Sequence, residues 1–358
     1  GLKEAWMVFS KRQKKGILNS IQARDGFDRI TGTTDFSGFA AADLAVEAVV
    51  EDMGIKKSVL RDFEAVAREN AIFASNTSSL SITEMAAASR RPERVIGMHF
   101  FNPVGKMLLV EVVRGKKTSE EVVSAIASLS RVLGKLPVVV NDGPGFLVNR
   151  ILMPYLGEAI AMLEQGGTIE KIDEALLRFG MPMGAFILLD EIGIDIAHKV
   201  SGILYQGLGE RVKPSGLLST LYKEGYYGKK NGKGFYLYNG RNRGGPDDSL
   251  YRKISAVSRT GEKMSHEEIV DRAVLLMIKE ATLCLEERIL DRPDILDAAI
   301  VFGIGFPPFR GGLLKYADSI GAKIVVEKLT GYAIKYGNRF APSNSLMDMA
   351  KAGKRFYT

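Results

Sequence analysis

The sequence predicts an α/β part followed by an all-α part, and three features carry this prediction. Over the first 140 residues, short apolar runs alternate with helical patterns. After Pro144 the strand signals fade and long helical patterns take over. The two helical stretches that follow resemble each other. Alternating strands and helices are typical of a parallel α/β sheet, whereas unbroken helical periodicity is typical of helical domains.

Five short apolar runs are predicted as the strands of the first part: Leu44–Val50, Ala71–Ser75, Val95–Phe100, Leu108–Val113 and Pro137–Val140. Residues 3–20 and 53–69 have helical spacing. Capping-box patterns predict further helix starts at Ser81 with Glu84 and at Thr118 with Glu121. Gly134 is placed to end the second of these helices.

The two helical stretches align at a shift of 122 residues. Between Asn149 and Glu164 this shift gives five identities in sixteen positions, among them Arg150 with Arg272 and Glu158 with Glu280. We read this as a duplicated helical domain, the alternative being chance similarity between amphipathic helices. The expected division is a sheet domain at 1–143, a first helical domain at 144–240, a linker at 241–262 and a second helical domain at 263–358.

Composition excludes several classes of protein. The chain of 358 residues is 46% hydrophobic and 25% charged, which supports a sizeable core and excludes extensive disorder. No apolar run is long enough for a spanning helix, so no integral membrane segment is expected. The single cysteine, Cys284, excludes a disulfide framework and any multi-cysteine metal site, and we expect no metal. A net charge of +7 without a nucleic-acid motif disfavours nucleic acid as a partner.

His99 is the strongest candidate for chemistry among the three histidines. It lies at the end of an apolar strand run, where open α/β sheets gather ligands, and an imidazole there can exchange a proton with a substrate hydroxyl. Glu111 lies within the next apolar run, where an unpaired carboxylate is costly. Paired with His99, Glu111 would fix its tautomer; the alternative is a glutamate on a solvated strand face.

Small polar residues at 75–79 follow another strand and suit hydrogen bonding to a polar ligand. Ser78 is expected in the site, while Ser81 is expected to cap the next helix. A basic, glycine-rich stretch at 228–234 has two interpretations, a contact with anionic phosphates or a simple turn into a strand.

Four motifs occur in the order Val46–Asp52, Ser75–Ser79, His99–Pro103 and Gly143–Arg150. In order and spacing they resemble the (S)-3-hydroxyacyl-CoA dehydrogenase family of fatty-acid β-oxidation. The resemblance covers essentially the whole chain. Two helical copies, with Gly303–Gly312 in the second, resemble the dehydrogenase part of multifunctional members, which carry an enoyl-CoA hydratase domain upstream. The implied fold is an incomplete Rossmann-type NAD-binding domain followed by two similar helical domains.

The resemblance also implies roles for particular residues. His99 would be the general base, and Glu111 would orient it. Ser78 and Asn149 would hydrogen-bond the reacting substrate oxygen or the catalytic water network. Cofactor-side positions around the nicotinamide of NAD would be Glu51, Lys56, Asn76 and Asn102. Implied partners are an acyl-CoA substrate, a thiolase β subunit and a second copy of the chain. A bacterial cytoplasm is the default location, with peroxisome and mitochondrion left open.

One departure from the family matters. No Gly-x-Gly-x-x-Gly fingerprint occurs, and the acidic residue expected about 20 residues after it is missing too. We therefore expect a fragment that lacks the first βαβ unit and binds NAD poorly. Two other readings stay open: a related dehydrogenase of small β-hydroxyacids, and a non-catalytic module that binds acyl-CoA or docks a thiolase.

Overall fold

The computed structural model describes residues 1–240, 242–255 and 264–357. The first part contains five helices and five strands in that range: α1 Leu2–Lys14, α2 Ser20–Asp28, β1 Leu44–Glu47, α3 Met53–Val66, β2 Ile72–Ser75, α4 Ile82–Ala86, β3 Val95–Phe100, β4 Leu109–Arg114, α5 Glu120–Val132 and β5 Leu136–Asn141. Where one helix over 3–20 was expected, α1 stops at Lys14 and α2 begins anew behind its own cap, Asn19.

The five strands form one sheet in the order β1-β2-β3-β4-β5. The expectation of an all-parallel sheet is wrong at one place, because β3 and β4 run antiparallel while the other neighbours are parallel. The connection from Phe100 to Leu109 is too short for a crossover helix, and so short a connection suits an antiparallel return.

Two helix starts differ in detail from the capping boxes predicted. Ser81 caps α4 as expected, but the Glu84 side chain bonds to Lys57 instead of completing the box. The cap of α5 is Ser119 rather than Thr118. The Thr118 hydroxyl instead donates to the Val95 carbonyl and accepts from Gly115, which ties the loop to the end of the sheet.

The rest of the chain is helical except for one hairpin. Its elements are α6 Val148–Glu164, α7 Ile169–Phe179, α8 Ala185–Ile192, α9 Ile194–Leu208, α10 Gly216–Lys223, β6 Tyr236–Asn239, β7 Asn242–Pro246, α11 Asp248–Ser255, α12 His266–Glu286, α13 Pro293–Ile304, α14 Leu313–Ile320, α15 Ala322–Tyr336 and α16 Asn344–Ala352. The stretch 241–262 expected as a linker includes β7 and α11, with Leu250 and Ile254 buried. Residue 241 and residues 256–262 of that stretch lie outside the described residues.

The helices from α6 to α10 and from α12 to α16 repeat the same contacts. The Asp173 carboxylate accepts from the first amides of α8, as the Asp297 carboxylate does from those of α14. Buried Arg150 bonds to Glu280 at 2.7 Å, and its equivalent Arg272 bonds to Glu158 at 2.8 Å. We call α6–α10 the first helical region and α12–α16 the second; the ion pairs join one to the other.

The second helical region also packs behind the sheet. α13 contacts β4 and α6, and the approach is closest at Gly303, where a Cβ atom would lie 2.8 Å from the Leu109 side chain. A side chain here would force those of Leu109 and Val148 to shift, so glycine allows the helix to lie this close to the strand. No described helix is long and apolar enough to cross a membrane.

Candidate active site

His99 and Glu111 face each other across the two antiparallel strands. The register of β3 and β4 pairs them directly, and the His99 Nδ1 atom lies 2.7 Å from a Glu111 carboxylate oxygen. Their side chains are 6% and 0% exposed. Because a carboxylate only accepts hydrogen bonds, Nδ1 carries the proton and Nε2 remains free to accept one. The pair therefore has the geometry of a general base with its orienting group.

The other oxygen of Glu111 binds the start of α6. It accepts hydrogen bonds from the backbone amides of Leu147 and Val148 at 3.1 and 2.9 Å. These amides are among the unpaired donors at a helix N-terminus, where the helix dipole favours negative charge. Glu111 thus joins the sheet to the first helical region, a contact that the sequence pattern does not reveal.

Two aromatic rings pack beside the imidazole. The ring of Phe101 lies 4.5 Å from that of His99, and the ring of Phe146 lies 5.9 Å away. Phe146 is fully buried and has a φ of 54°, a left-handed backbone conformation that non-glycine residues rarely adopt. Its backbone makes the turn that brings the α6 amides to Glu111.

Asn149 and Ser78 meet across the junction between the sheet and α6. The Asn149 amide donates to the Ser78 backbone carbonyl at 2.8 Å, and the Ser78 amide donates to the Glu51 carboxylate at 2.9 Å. Three of the predicted site residues thus form one chain of contacts. The contacts of Ser78 in this chain are made by its backbone, which leaves its hydroxyl available for a ligand.

Lys56 lies in a buried cluster of charges below this chain. Its ammonium is 2.7 Å from the Glu47 carboxylate and 3.4 Å from that of Glu51, and its side chain is 1% exposed. Glu47 also accepts from the Ser75 hydroxyl at 2.6 Å. Glu47 was not among the predicted site residues. A glutamate inside the apolar strand run 44–50 was the available signal, as it was for Glu111.

The two asparagines predicted at the cofactor side occupy different environments. Asn76 follows β2, and its side-chain oxygen accepts from the Phe100 amide at 2.9 Å, which ties the end of β2 to the end of β3. Asn102 lies beyond the end of β3 and is exposed. The described residues contain no cluster of three or more side chains that could hold a metal ion.

The basic stretch at 228–234 is held by acidic side chains. Lys229 pairs with Glu191 and Lys230 pairs with Asp195. Asp190 accepts from the amides of Phe235 and Tyr236, so the stretch leads into β6 as a structured turn. These contacts favour the interpretation as a turn over a phosphate site.

Comparisons with known proteins agree with the geometry. Residues 1–143 match the family described as 3-hydroxyacyl-CoA dehydrogenase, NAD binding domain, and residues 145–238 match 3-hydroxyacyl-CoA dehydrogenase, C-terminal domain. The fatty acid oxidation complex subunit alpha of Shewanella amazonensis is 45% identical over 99% of this chain, and that of Vibrio vulnificus is 43% identical over 99%. The chain spans about half the length of these relatives, 50% in each case.

Solved structures lead to the same family. A 3-hydroxybutyryl-CoA dehydrogenase from Escherichia coli has a TM-score of 0.85 and 27% identity, covering 98% of this chain and 90% of that one. An (S)-3-hydroxybutyryl-CoA dehydrogenase from Ralstonia eutropha has a TM-score of 0.63 and 39% identity, covering 65% of this chain and 83% of that one. The predicted fold class, a Rossmann-like domain followed by helical domains, is confirmed. The chain belongs to the 3-hydroxyacyl-CoA dehydrogenase family.

Proposed function

We propose that this chain is an oxidoreductase of fatty-acid β-oxidation that converts (S)-3-hydroxyacyl-CoA and NAD⁺ to 3-oxoacyl-CoA, NADH and a proton. The observation that carries the proposal is the buried pair of His99 and Glu111 at the junction of the sheet with α6. The Nε2 atom of His99 is free to accept a proton. Family membership supports the substrate class and the cofactor.

The chain's own residues handle the proton of this reaction. His99 Nε2 takes the proton of the 3-hydroxyl group, and Glu111 stays ionised while it stabilises the imidazolium that forms. NAD, when bound, accepts the hydride that leaves C3. In the reverse direction the imidazolium returns its proton to the oxygen of the 3-oxo group. Ser78 and Asn149 lie on either side of the junction and would hold that oxygen in place.

The residues fit one end of the cofactor. Asn76 and Ser78 follow β2, and Glu51 follows β1, so their polar groups collect at the carboxyl ends of parallel strands, where ligands bind in such sheets. We assign Glu51, Asn76 and Asn102 to the nicotinamide and its ribose, and Lys56 to the support of Glu51. The sequence has no Gly-x-Gly-x-x-Gly turn for the pyrophosphate, and we assign no residue to that part.

The proposal extends to partners and location. The relatives are named alpha subunits of a complex, which supports a further subunit as a partner. The family resemblance implies thiolase chemistry for that subunit. Self-association and a bacterial cytoplasmic location complete the proposal. Analytical ultracentrifugation of the chain alone and with a thiolase subunit tests both associations, and sedimentation as an unchanged monomer in both samples would contradict them.

The substrate class is tested by calorimetric titration of the chain with acetoacetyl-CoA. We expect saturable binding that weakens when free CoA replaces the thioester, because the acyl group carries the oxygen that Ser78 and Asn149 would bind. Equal binding of both ligands, or no binding by a sample with native circular dichroism, would contradict the proposal. The alternative, a non-catalytic binding module, is tested with His99→Ala. Turnover by the wild type that is lost in the variant, with acetoacetyl-CoA binding unchanged, would exclude this alternative.

A further inference from the structure

A cavity of about 470 Å³ lies in the first helical region, and neither His99 nor any other predicted site residue lines it. Its walls come from α6, α8, α9, α10 and the turn Gly209–Val212, and from α12 and the turn Asn338–Phe340 of the second region. The volume is within the range of about 300–1,000 Å³ typical of pockets for small molecules.

The duplicated fold supplies an internal comparison for this cavity. At the shift of 122 residues, Gly157 and Ala161 of α6 correspond to Lys279 and Leu283 of α12. From α9 onward the shift is 128 residues. Gly193 directly precedes α9, and Gly321 directly precedes the equivalent helix α15. Each of five cavity positions carries a smaller residue in the first region than in the second. The remaining three pairs are Ser201 with Leu329, Leu204 with Tyr332, and Val212 with Phe340.

In the second region these larger residues are buried or partly buried. Lys279 is 7% exposed, and its ammonium donates to the Arg339 carbonyl at 2.7 Å. Leu329 and Phe340 are fully buried, and the rings of Tyr332 and Phe340 lie 5.6 Å apart. The fold therefore closes well when these side chains are large. The smaller side chains at these five positions therefore contribute to the space of the cavity in the first region.

The lining indicates a ligand without net charge. Its floor is apolar and includes Leu156, Ile160 and Leu276. The charged lining residues balance, with three carboxylates and three cations: Glu158, Glu164, Glu210, Arg211, Lys213 and Arg339. The cations already have partners, since Arg339 bonds to Glu158 at 2.7 Å and Lys213 to Glu210 at 3.1 Å, while Arg211 bonds to Glu287 at 3.0 Å.

Two buried polar atoms of the wall are unsatisfied among the described residues. They are Nε of Arg211, a donor, and the side-chain oxygen of Gln165, an acceptor. Buried polar atoms are rarely left unpaired, because each costs about 1–3 kcal/mol.

We propose that this cavity binds a small neutral amphiphile, an apolar chain that ends in a hydroxyl group. The apolar chain lies on the apolar floor, and the uncharged hydroxyl group lies among the charged lining residues, whose cations are already paired. The site is separate from the proposed dehydrogenase site and does not depend on that assignment.

The test is calorimetric titration of the full chain with 1-octanol, repeated on the variant Gly157→Leu. A Cβ at Gly157 meets no atom within 4 Å, and leucine favours helices over glycine, so the variant fills the cavity without loss of folding. We expect saturable 1-octanol binding to the wild type and at least tenfold weaker binding to the variant. Ala161→Leu, which copies the residue of the second region, provides a second filled cavity.

The matched control is Gly331→Leu on α15, where a Cβ also meets no atom within 4 Å and which does not line the cavity. It should bind 1-octanol as the wild type does. Octanoate should bind more weakly than 1-octanol, because the cations are already paired. No saturable binding by the wild type, or equal binding by wild type and both filled variants, would overturn the proposal; octanoate binding as tight as that of 1-octanol would overturn its neutral head group.

Discussion

Two buried carboxylates accept the hydrogen bonds that order the candidate active site. Glu111 joins His99 to the start of α6, and Glu47 joins Lys56 to the end of β2 through Ser75. Each carboxylate accepts several hydrogen bonds, which offsets the cost of its burial. Side chains that contact a ligand can therefore be held in place by residues that do not.

The variant Glu47→Gln tests this support directly. An amide cannot neutralise Lys56, so one buried charge loses its closest partner, and breaking such a pair costs about 3–5 kcal/mol of unfolding free energy. Urea denaturation measures the loss. Glu84→Gln is a matched control, because Glu84 also lies 2.7 Å from a lysine but is 59% exposed. Its expected loss is below about 1 kcal/mol, and equal losses for the two variants would contradict the account.

Some residues of the candidate site can be singled out from sequence, because a charged residue within an apolar run is unusual. Glu111 stands out as a charge within an apolar strand run, and His99 stands out at a strand end. The bond from Glu111 to the amides of Leu147 and Val148 is not predictable, because it joins residues 36 and 37 positions apart through backbone groups. The placement of Lys56 against Glu47 is hidden for a related reason, since a lysine on a helix is ordinarily expected to be solvated.

Among the secondary-structure elements, apolar runs in the sequence predict that a strand is present. They do not predict where the strand ends or in which direction it runs. Leu44–Val50 was expected as one strand, but β1 ends at Glu47 because the next amides turn inward, that of Val49 bonding to the Glu47 carboxylate at 2.6 Å. The direction of β4 depends on the short connection before it. Sequence alternation alone carries no information on that reversal.

Helix starts in both helical regions are held by buried aspartates, and this predicts a pH dependence of stability. Burial raises the pKa of Asp173 to about 6 although it accepts from the amides of Phe186 and Ile187. Between about pH 4 and pH 6 the folded chain keeps a proton that the unfolded chain has lost. The contribution of this group to stability is therefore full below pH 4, declines as the pH rises through 6 and is constant above.

The variant Asp173→Asn removes this titration. We expect the unfolding free energy of the wild type to fall relative to that of the variant between pH 4 and pH 6, by up to about 3 kcal/mol at 1.36 kcal/mol per pKa unit. Urea denaturation at intervals from pH 4 to pH 8 measures the difference. A difference that does not change with pH would contradict the raised pKa.

At the scale of the whole molecule, reciprocal ion pairs join the two helical regions. Arg150 and Arg211 of the first region contact Glu280 of the second, while Arg272 and Arg339 of the second contact Glu158 of the first. The identities at the shift of 122 residues reveal equivalent positions. They do not reveal that each arginine pairs with the glutamate of the other copy, which only the packing of α6 against α12 determines.

Loss of one of these two glutamates should weaken the packing between the two helical regions. Glu280→Gln leaves Arg150, which is fully buried, without its closest partner, and we expect a loss of about 3–5 kcal/mol in unfolding free energy. Glu158→Gln, at the equivalent position, should cost a similar amount. The exposed pair of Glu174 with Arg178 is the control, with an expected loss of about 0.5 kcal/mol for Glu174→Gln. Urea denaturation measures the three losses. Equal losses of unfolding free energy for the three variants would contradict the role given to the buried ion pairs.

The central claim is that His99, oriented by Glu111, moves the proton in the oxidation of 3-hydroxyacyl-CoA. The most direct measurement is the loss of NADH absorbance with acetoacetyl-CoA, for the wild type and for His99→Ala. Because the chain has no turn for the pyrophosphate, NADH is supplied at high concentration. We predict slow turnover by the wild type and a loss of about 10²–10⁴-fold in the variant, with acetoacetyl-CoA affinity retained. No turnover by the wild type, or wild-type turnover by His99→Ala, would contradict the claim.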